Sequence, residues 1–526
     1  MHENRETSEL SARGSGADRP EKADSRKTGA NGAEESDCVV VPMSEPNKGE
    51  PPKGGLNTEA GEGRARTKEN ISQAHTNPTQ RGDKGVSQGL AGVRQAAQAK
   101  KGERFTALLH HLTLELMRDS FYALKREAAA GVDGVRWKEY ETGLEGRLAE
   151  LHSRVHRGVY RAQPCRRVYI PKADGRQRPL GIAALEDKIV QQAVVRILNE
   201  IYENDFLGFS YGFRPGRSQH QALDALTVGI TRKRVNWVLD LDIRGFFDNM
   251  SHEWTVKFVE HRVGDPRVLR LIKKWLKAGV SEEGEWAESK VGTPQGAVIS
   301  PLLANIYLHY ALDLWVEAWR RKVARGDMIV VRYADDVVLG FERKEEAVRF
   351  LRELRERLTR FGLELHPEKT RLIEFGRYAG PNRERRGEGK PETFDFLGFT
   401  HMCGKNGKTG YFVVRRKTAK KQMRAKLQAL KEELRLRMHE PLAETGKWLQ
   451  TVIRGYNQYY AVPGNTASLG VFRERLLALW RHVIRRRSQK RPPNWDRLGR
   501  FFDRWLPRPC ILHPFPHARF DARHPR

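Results

Sequence analysis

The run Met328 to Phe341 reads MIVVRYADDVVLGF. Two β-branched apolar segments, Met328 to Arg332 and Val337 to Phe341, flank the tetrapeptide Tyr333-Ala334-Asp335-Asp336. That pattern predicts two antiparallel strands joined by a tight turn over the four residues. Adjacent carboxylates at a turn repel one another, and a pair of divalent cations is the commonest reason to hold them together. Two such ions roughly 3.5–4 Å apart activate an attacking hydroxyl and stabilise a leaving phosphate oxygen. Surface loops also carry Asp-Asp, so the pair needs support from elsewhere in the chain. It comes from Val238 to Asp248, VLDLDIRGFFD. A strand there can run beside the hairpin and aim Asp242 at Asp335. Asp240 points to the same face, and alternation does not choose between the two. Asp248 is expected to cap the turn or helix that follows at Asn249 to His252. Mg²⁺ takes oxygen ligands and keeps several waters, so two carboxylates, a backbone carbonyl and substrate phosphates suffice to hold it.

The composition points the same way. The chain has 526 residues, enough for two or three domains. Lys and Arg number 95 against 66 Asp and Glu, a net charge of +29. Such an excess attracts polyanions and makes their binding salt dependent. A solvated basic surface or an anionic membrane is the alternative; interleaving of the Arg-rich segments with Trp, Tyr and Phe favours nucleic acid. No uninterrupted apolar run reaches about 18 residues, so no membrane-spanning helix is expected, and the N-terminus lacks a signal-peptide pattern. Cys38, Cys165, Cys403 and Cys510 are scattered, which suits a reduced, cytoplasmic protein without a disulfide framework. Cys510, His513 and His517 sit among prolines, lack a fourth ligand and fit no common zinc spacing.

Residues 1–100 are polar and rich in Gly, Ser, Glu and Lys, and are expected to be disordered. Beyond Phe105, Leu108, Leu109, Leu112, Leu116, Phe121 and Leu124 recur at helical spacing. Val168 to Pro171 reads as a strand entering a hairpin at Asp174-Gly175, with Lys172 and Arg178 flanking the turn. Gly292-Thr293-Pro294-Gln295-Gly296 packs turn residues ahead of a helix near Ser300, where Pro301 suits the first position. Gln295 carries both a donor and an acceptor. Ala347, Phe350, Leu351, Leu354, Leu358 and Phe361 form a core stripe. Lys417 to Arg437 reads as a very basic helix. Leu469 to Val483 marks another, ending in Arg485-Arg486-Arg487, and Trp448 to Tyr460 joins them in a small helical domain. Candidate contacts to nucleic acid are Arg415, Arg416, Lys417, Lys420, Lys421, Arg454, Tyr459, Arg485, Arg486 and Arg487. Residues 488–526 read as a short, basic, Pro-rich tail, a reduced DNA-binding region.

Taken in order, several blocks resemble a group II intron-encoded protein, a bacterial reverse transcriptase with maturase activity. The blocks are AGVDGV at 130–135, YIPK at 169–172 with RPLGI at 178–182, SYGFRPGR at 210–217, GTPQG at 292–296 with SPLLAN at 300–305, YADD at 333–336, FDFLGF at 394–399 and RGYNQYY at 454–460. They cover roughly residues 105–487. Lys188 stands where that family usually has arginine, and no CxxC of an endonuclease domain follows residue 490. The resemblance implies an α+β right-hand polymerase. Fingers and palm, an antiparallel sheet backed by helices, would span 101–402, and a helical thumb or maturase domain 403–487. It implies that Asp242, the Ile243 carbonyl, Asp335 and Asp336 hold two Mg²⁺ ions. Lys172 and Arg178 would meet the triphosphate, with template phosphates as the alternative. Phe247 would lie under the sugar and exclude a 2′-hydroxyl, with Phe246 turned away by strand alternation. Gln295 would reach the new base pair, and Lys369 would sit near the nucleotide unless it is a plain surface lysine. Implied partners are intron RNA, an RNA template, a DNA primer or target and deoxynucleoside triphosphates; a homodimer is compatible. A reverse transcriptase of another retroelement, or an RNA-binding maturase without polymerase activity, are the rival readings.

Overall fold

The computed structural model describes residues 88–171, 177–282, 285–287, 291–293, 296–487 and 495–524. Among these residues the class is mixed α+β, with three sheets and many helices. The central sheet has the order β6-β7-β3-β8, built from Met328–Tyr333, Asp336–Phe341, Trp237–Asp242 and Arg371–Glu374, and every pair in it is antiparallel. β6 and β7 are buried along almost their whole length, as continuous β-branched runs require when helices cover a sheet. Helices Gln219–Arg232 and Lys344–Arg360 lie against it. The second of these buries Ala347, Phe350, Leu354 and Leu358, the periodic stripe of the sequence.

A second sheet runs β2-β1-β4-β5. β1 (Cys165–Pro171) pairs antiparallel with β2 (Gln177–Ile182) and parallel with the short β4 (Val280–Glu282), which β5 (Glu285–Ala287) continues. The third sheet is β11-β10-β9, from Phe412–Thr418, Phe399–Lys405 and Phe394–Phe396. A boundary at residue 402 therefore falls inside β10. A separate helical core follows, with Leu434, Leu449, Phe472, Leu476, Trp480, Phe502 and Leu506 at its centre.

Several local readings need correction. The polar N-terminal segment yields a helix at Gln88–Ala99, which buries Leu90, Val93 and Ala97; residues 1–87 lie outside the described residues. The leucine run after Phe105 is a 3₁₀ turn, Leu109–His111, and then a helix, Leu114–Ala123, capped by the Thr113 hydroxyl. The basic segment at 417 begins as the end of β11, and its helix starts only at Lys420. The C-terminal segment is not an open tail. Helix Trp495–Trp505 leads into the helical core, and Pro516–Arg523 docks on the 219–232 helix. Among the described residues no helix is long and apolar enough to cross a membrane.

Candidate active site

The hairpin is tighter than its sequence suggested. Tyr333 and Asp336 pair with each other at the end of the ladder, leaving a two-residue turn of Ala334 and Asp335. Ala334 takes φ +57°, the left-handed conformation of the turns that match strand twist. On its other side β7 pairs with β3, and Asp336 faces Asp242 directly. Like charges placed directly opposite on antiparallel strands repel, and Asp335 in the turn adds a third. Asp240 sits two positions further in, opposite Val338, with Arg371 as an ion partner at 3.9 Å.

The crowding shows in the acidities. Asp336 keeps an exposed face at the start of β7, yet crowding by neighbouring atoms, then the charges of Asp335, Asp242 and Asp240, raise its pKa, with Lys369 opposing them. Burial also raises Asp240 to about 6, against the pull of Arg371. The Lys369 ammonium donates to Asp242 at 2.8 Å. Its placement is local: the His366 amide donates to the Asp242 carbonyl at 2.7 Å and the Arg244 amide to Glu364 at 2.8 Å. Ile243, between them, bridges to Leu365. Among the described residues no three His, Cys, Asp or Glu side chains converge closely enough to hold an ion unaided. The donor set nonetheless fits Mg²⁺, which leaves ligand positions to water and substrate phosphates. Lys369 supplies the counter-charge that these carboxylates demand.

A buried scaffold behind the turn was not recognised in the sequence. Arg332, fully buried, donates to both Asp313 oxygens at 2.7 and 2.5 Å, to Asn305 Oδ1 at 3.0 Å and to the Ala334 carbonyl at 3.0 Å. Asn305 Nδ2 in turn donates to the Gly212 carbonyl at 2.7 Å. Gly212 lies so close to the turn that an added Cβ would stand 2.2 Å from the Ala334 nitrogen. Asp313 closes a π-helical turn, His309–Asp313, a distortion found often at functional sites. The signal in the sequence was a lone arginine at the end of an apolar strand.

Gly245, at φ +53°, turns the chain after β3 into a short helix, Phe246–Asn249. Strand alternation therefore does not separate the two phenylalanines. Phe246 is core and Phe247 is half-buried, with ring centroids 5.3 Å apart. The cap of the next helix, His252–Glu260, is Ser251 rather than Asp248. The Thr293 amide donates to the Phe247 carbonyl at 2.9 Å, and an added Cβ at Gly292 would meet the Asp248 carbonyl. On the other side, Gly296 abuts the Gly181 carbonyl of β2, and Gln191 accepts from the Val298 and Ile299 amides. The segment around Gln295 is thus anchored to the 246–252 turn at one end and to the β1–β2 sheet at the other. Gln295 itself and Lys172 lie outside the described residues. Arg178 stands in β2, opposite Ile170. Helix Ser300–Leu308 begins one residue before Pro301. Lys188 donates to the Ala129 carbonyl at 3.0 Å and so holds the 130–134 loop.

The candidate nucleic-acid residues divide. Arg415, Lys417, Lys420, Lys421, Arg454, Arg485 and Arg486 are exposed. Arg416 is not available: alternation along β11 turns it inward, where it pairs with buried Asp224 at 3.0 Å. Tyr459 is also committed internally, donating to the Leu397 carbonyl at 2.8 Å and stacking on Phe399. Arg487 is half-buried and donates to the Arg437 carbonyl.

Residues 170–401, which contain β3, the β6–β7 hairpin and the flanking turns, match the reverse transcriptase (RNA-dependent DNA polymerase) family. The chain is 38% identical over 252 residues to protein YkfC of Escherichia coli strain K12, covering 42% of this chain and 66% of that one. It is 36% identical over 241 residues to the group II intron-encoded protein LtrA of Lactococcus lactis subsp. cremoris, covering 45% and 39%. To the nuclear intron maturase 3, mitochondrial, of Arabidopsis thaliana it is 23% identical over 258 residues, covering 43% and 35%. The alignments therefore span about two thirds of the first relative and well under half of the others. Residues 170–401 thus carry a reverse transcriptase domain, and over it the chain is similar to group II intron-encoded proteins.

Proposed function

We propose that the protein is an RNA-directed DNA polymerase that also acts as a maturase for a group II intron. The observation that carries this reading is the carboxylate cluster, with Asp242 opposite Asp336 and Asp335 in the adjoining turn, inside the reverse transcriptase match. Asp242, Asp335, Asp336 and the Ile243 carbonyl would hold two Mg²⁺ ions, whose chemistry is to acidify the primer 3′-hydroxyl and neutralise the triphosphate. Phe247 lies against the sugar and rejects a 2′-hydroxyl. Lys172 and Arg178 bind the triphosphate, Gln295 contacts the new base pair, and Lys369 leaves Asp242 for the departing pyrophosphate. In this reading the β6-β7-β3-β8 sheet is the palm and the β1–β2 hairpin belongs to the fingers. The helices from 420 to 487 form a thumb that grips template and primer through phosphates, which gives affinity without sequence information. The same surface binds intron RNA and supports splicing and target-primed mobility in the cytoplasm.

The test is Mg²⁺-dependent primer extension on an RNA template by wild type and Asp335→Ala at matched RNA affinity. Metal-assisted charge stabilisation is worth several kcal/mol, so the variant should lose more than about a hundredfold in rate. Its support of intron splicing should persist, because that role rests on binding. Extension by neither protein, with RNA binding retained, would leave the maturase reading alone.

A further inference from the structure

A cavity of about 180 Å³ opens between helices Lys420–Leu436 and Thr466–Arg486. One water needs only about 10–15 Å³ on such a scale, so the space suits a ligand. Its floor is apolar, with half-buried Leu479 and buried Val483. Its rim carries Lys431, Arg435, His482 and Arg486, and among the described residues no acidic one lines it. Helical spacing explains the grouping: Lys431 and Arg435 are four apart, and Leu479, His482, Val483 and Arg486 follow at three, four and seven.

Among the described residues none of Lys431, Arg435 and Arg486 has a carboxylate partner, whereas neighbouring arginines are neutralised. Arg437 pairs with Glu433 and Glu440, and Arg473 with Asp503. Glu432, beside Lys431, accepts from Gln428 instead. Unpaired cations around an apolar cleft call for an anion with a flat apolar body. A duplex backbone offers phosphates with its bases stacked away, and a free phosphate has no use for the floor. An unstacked nucleotide supplies both parts, and loops and bulges of structured RNA present such nucleotides.

We propose that this cleft receives an unstacked nucleotide of a structured RNA, its base against Leu479 and Val483 and its phosphates against Lys431, Arg435 and Arg486. The proposal rests on the reading of the protein as an RNA-binding maturase and locates one contact of that binding. It is tested by fluorescence anisotropy at fixed salt with a hairpin RNA carrying one bulged nucleotide, the same stem fully paired, and the stem with an abasic bulge. The wild type should bind the bulged RNA about tenfold more tightly than the paired and abasic forms, as burial of one base face against aliphatic side chains implies. Arg435→Ala, at an exposed position, and Leu479→Phe, which fills the cleft, should each erase that preference, with circular dichroism verifying their fold. Equal binding of bulged and paired RNA, or a preference intact in both variants, would overturn it. Displacement of the bulged RNA by polyglutamate at matched charge would also overturn it, in favour of an acidic protein partner. Primer extension by the same wild-type preparation separates the two readings. Extension without bulge preference removes only the cleft, and bulge preference without extension removes only the polymerase.

Discussion

Arg332 sets the position of the carboxylate turn from behind. Burial drives the Asp313 carboxyl upward, and the Arg332 guanidinium draws it back. The pair is therefore stable only as a pair. Removing one member of a buried ion pair typically costs about 3–5 kcal/mol, because the other is left charged and dry. Arg332→Met should lower the unfolding free energy by that amount in urea titrations. Arg332→Lys should recover only part of it, since one ammonium cannot reproduce the planar fork that reaches Asp313, Asn305 and Ala334 together. A fully stable methionine variant would mean that the network does not hold the turn. Phe247 offers a different kind of prediction. It is half-buried in the short helix 246–249, where its carbonyl accepts from the Thr293 amide, and Phe247→Ala should raise ribonucleotide incorporation relative to deoxyribonucleotide. The measure is the ratio of the two kcat/KM values. An equal fall in both would assign the ring to packing.

Between elements, a single buried carboxylate often makes the joint. Asp265 caps helix Pro266–Lys277 through the Arg267 amide at 2.9 Å, and it also accepts from the Leu108 and Leu109 amides of a distant segment at 2.8 and 3.0 Å. Burial works to raise its pKa, but hydrogen bonds from Arg267, Leu109 and Leu108 outweigh it and hold the carboxyl well below the usual value of 3.8. A depressed carboxylate contributes stability above its unfolded pKa and loses that contribution as pH falls through and below 3.8. Asp265→Ala should therefore cost about 3 kcal/mol at pH 7, with the gap from wild type narrowing by pH 3. An unchanged gap at pH 3 would show that charge is not what Asp265 supplies. Joints of this kind explain what the sequence revealed and what it hid. The β6–β7 hairpin, the Asp242 strand and the 344–360 helix were legible because continuous β-branched runs beside a turn mark the strands and a period of 3.6 marks the helix. The turn length was not, because only pairing partners decide whether Tyr333 and Asp336 belong to the ladder. Arg416 was indistinguishable from Arg415 and Lys417 until β11 turned it toward Asp224, a residue 192 positions away. Phe246 and Phe247 were misread as strand residues because the left-handed conformation at Gly245 is invisible to alternation.

Across the whole molecule, the C-terminal segment fastens the helical region to the body that carries the carboxylates. Asp224, on the 219–232 helix that backs β6, holds Arg416 of β11 and Arg519 of the last helix together. The Leu512 and His513 amides donate to the Ala461 carbonyl, at the end of helix Leu442–Tyr460. Arg232 pairs with Asp521 at 2.6 Å, and His513 stacks on His220, whose Nε2 lies 2.9 Å from the Tyr459 carbonyl. Burial is the first cause that lowers His220, to about 4; the Tyr459 carbonyl opposes it, and His513, Arg519 and Arg416 reinforce it. Burial likewise comes first in lowering His513, His517 and His524, with Asp224 or Asp521 pulling the other way in each case. A histidine whose folded pKa lies below its free value of 6.5 binds more protons when released. The clasp is thus fully supported above pH 6.5 and is weakened progressively as pH falls from 6.5 toward 4. Hydrogen exchange of the 516–523 amides, corrected for intrinsic rates, should accelerate between pH 7.5 and pH 5.5 while the β6–β7 amides keep their protection. Arg519→Ala should produce the same local opening at pH 7.5, since it releases the segment from Asp224 without disturbing the Arg416 pair. If the helix keeps its protection in both experiments, apolar contacts such as buried Phe520 hold the segment, and the histidines and Asp224 serve only to fill space between the two regions.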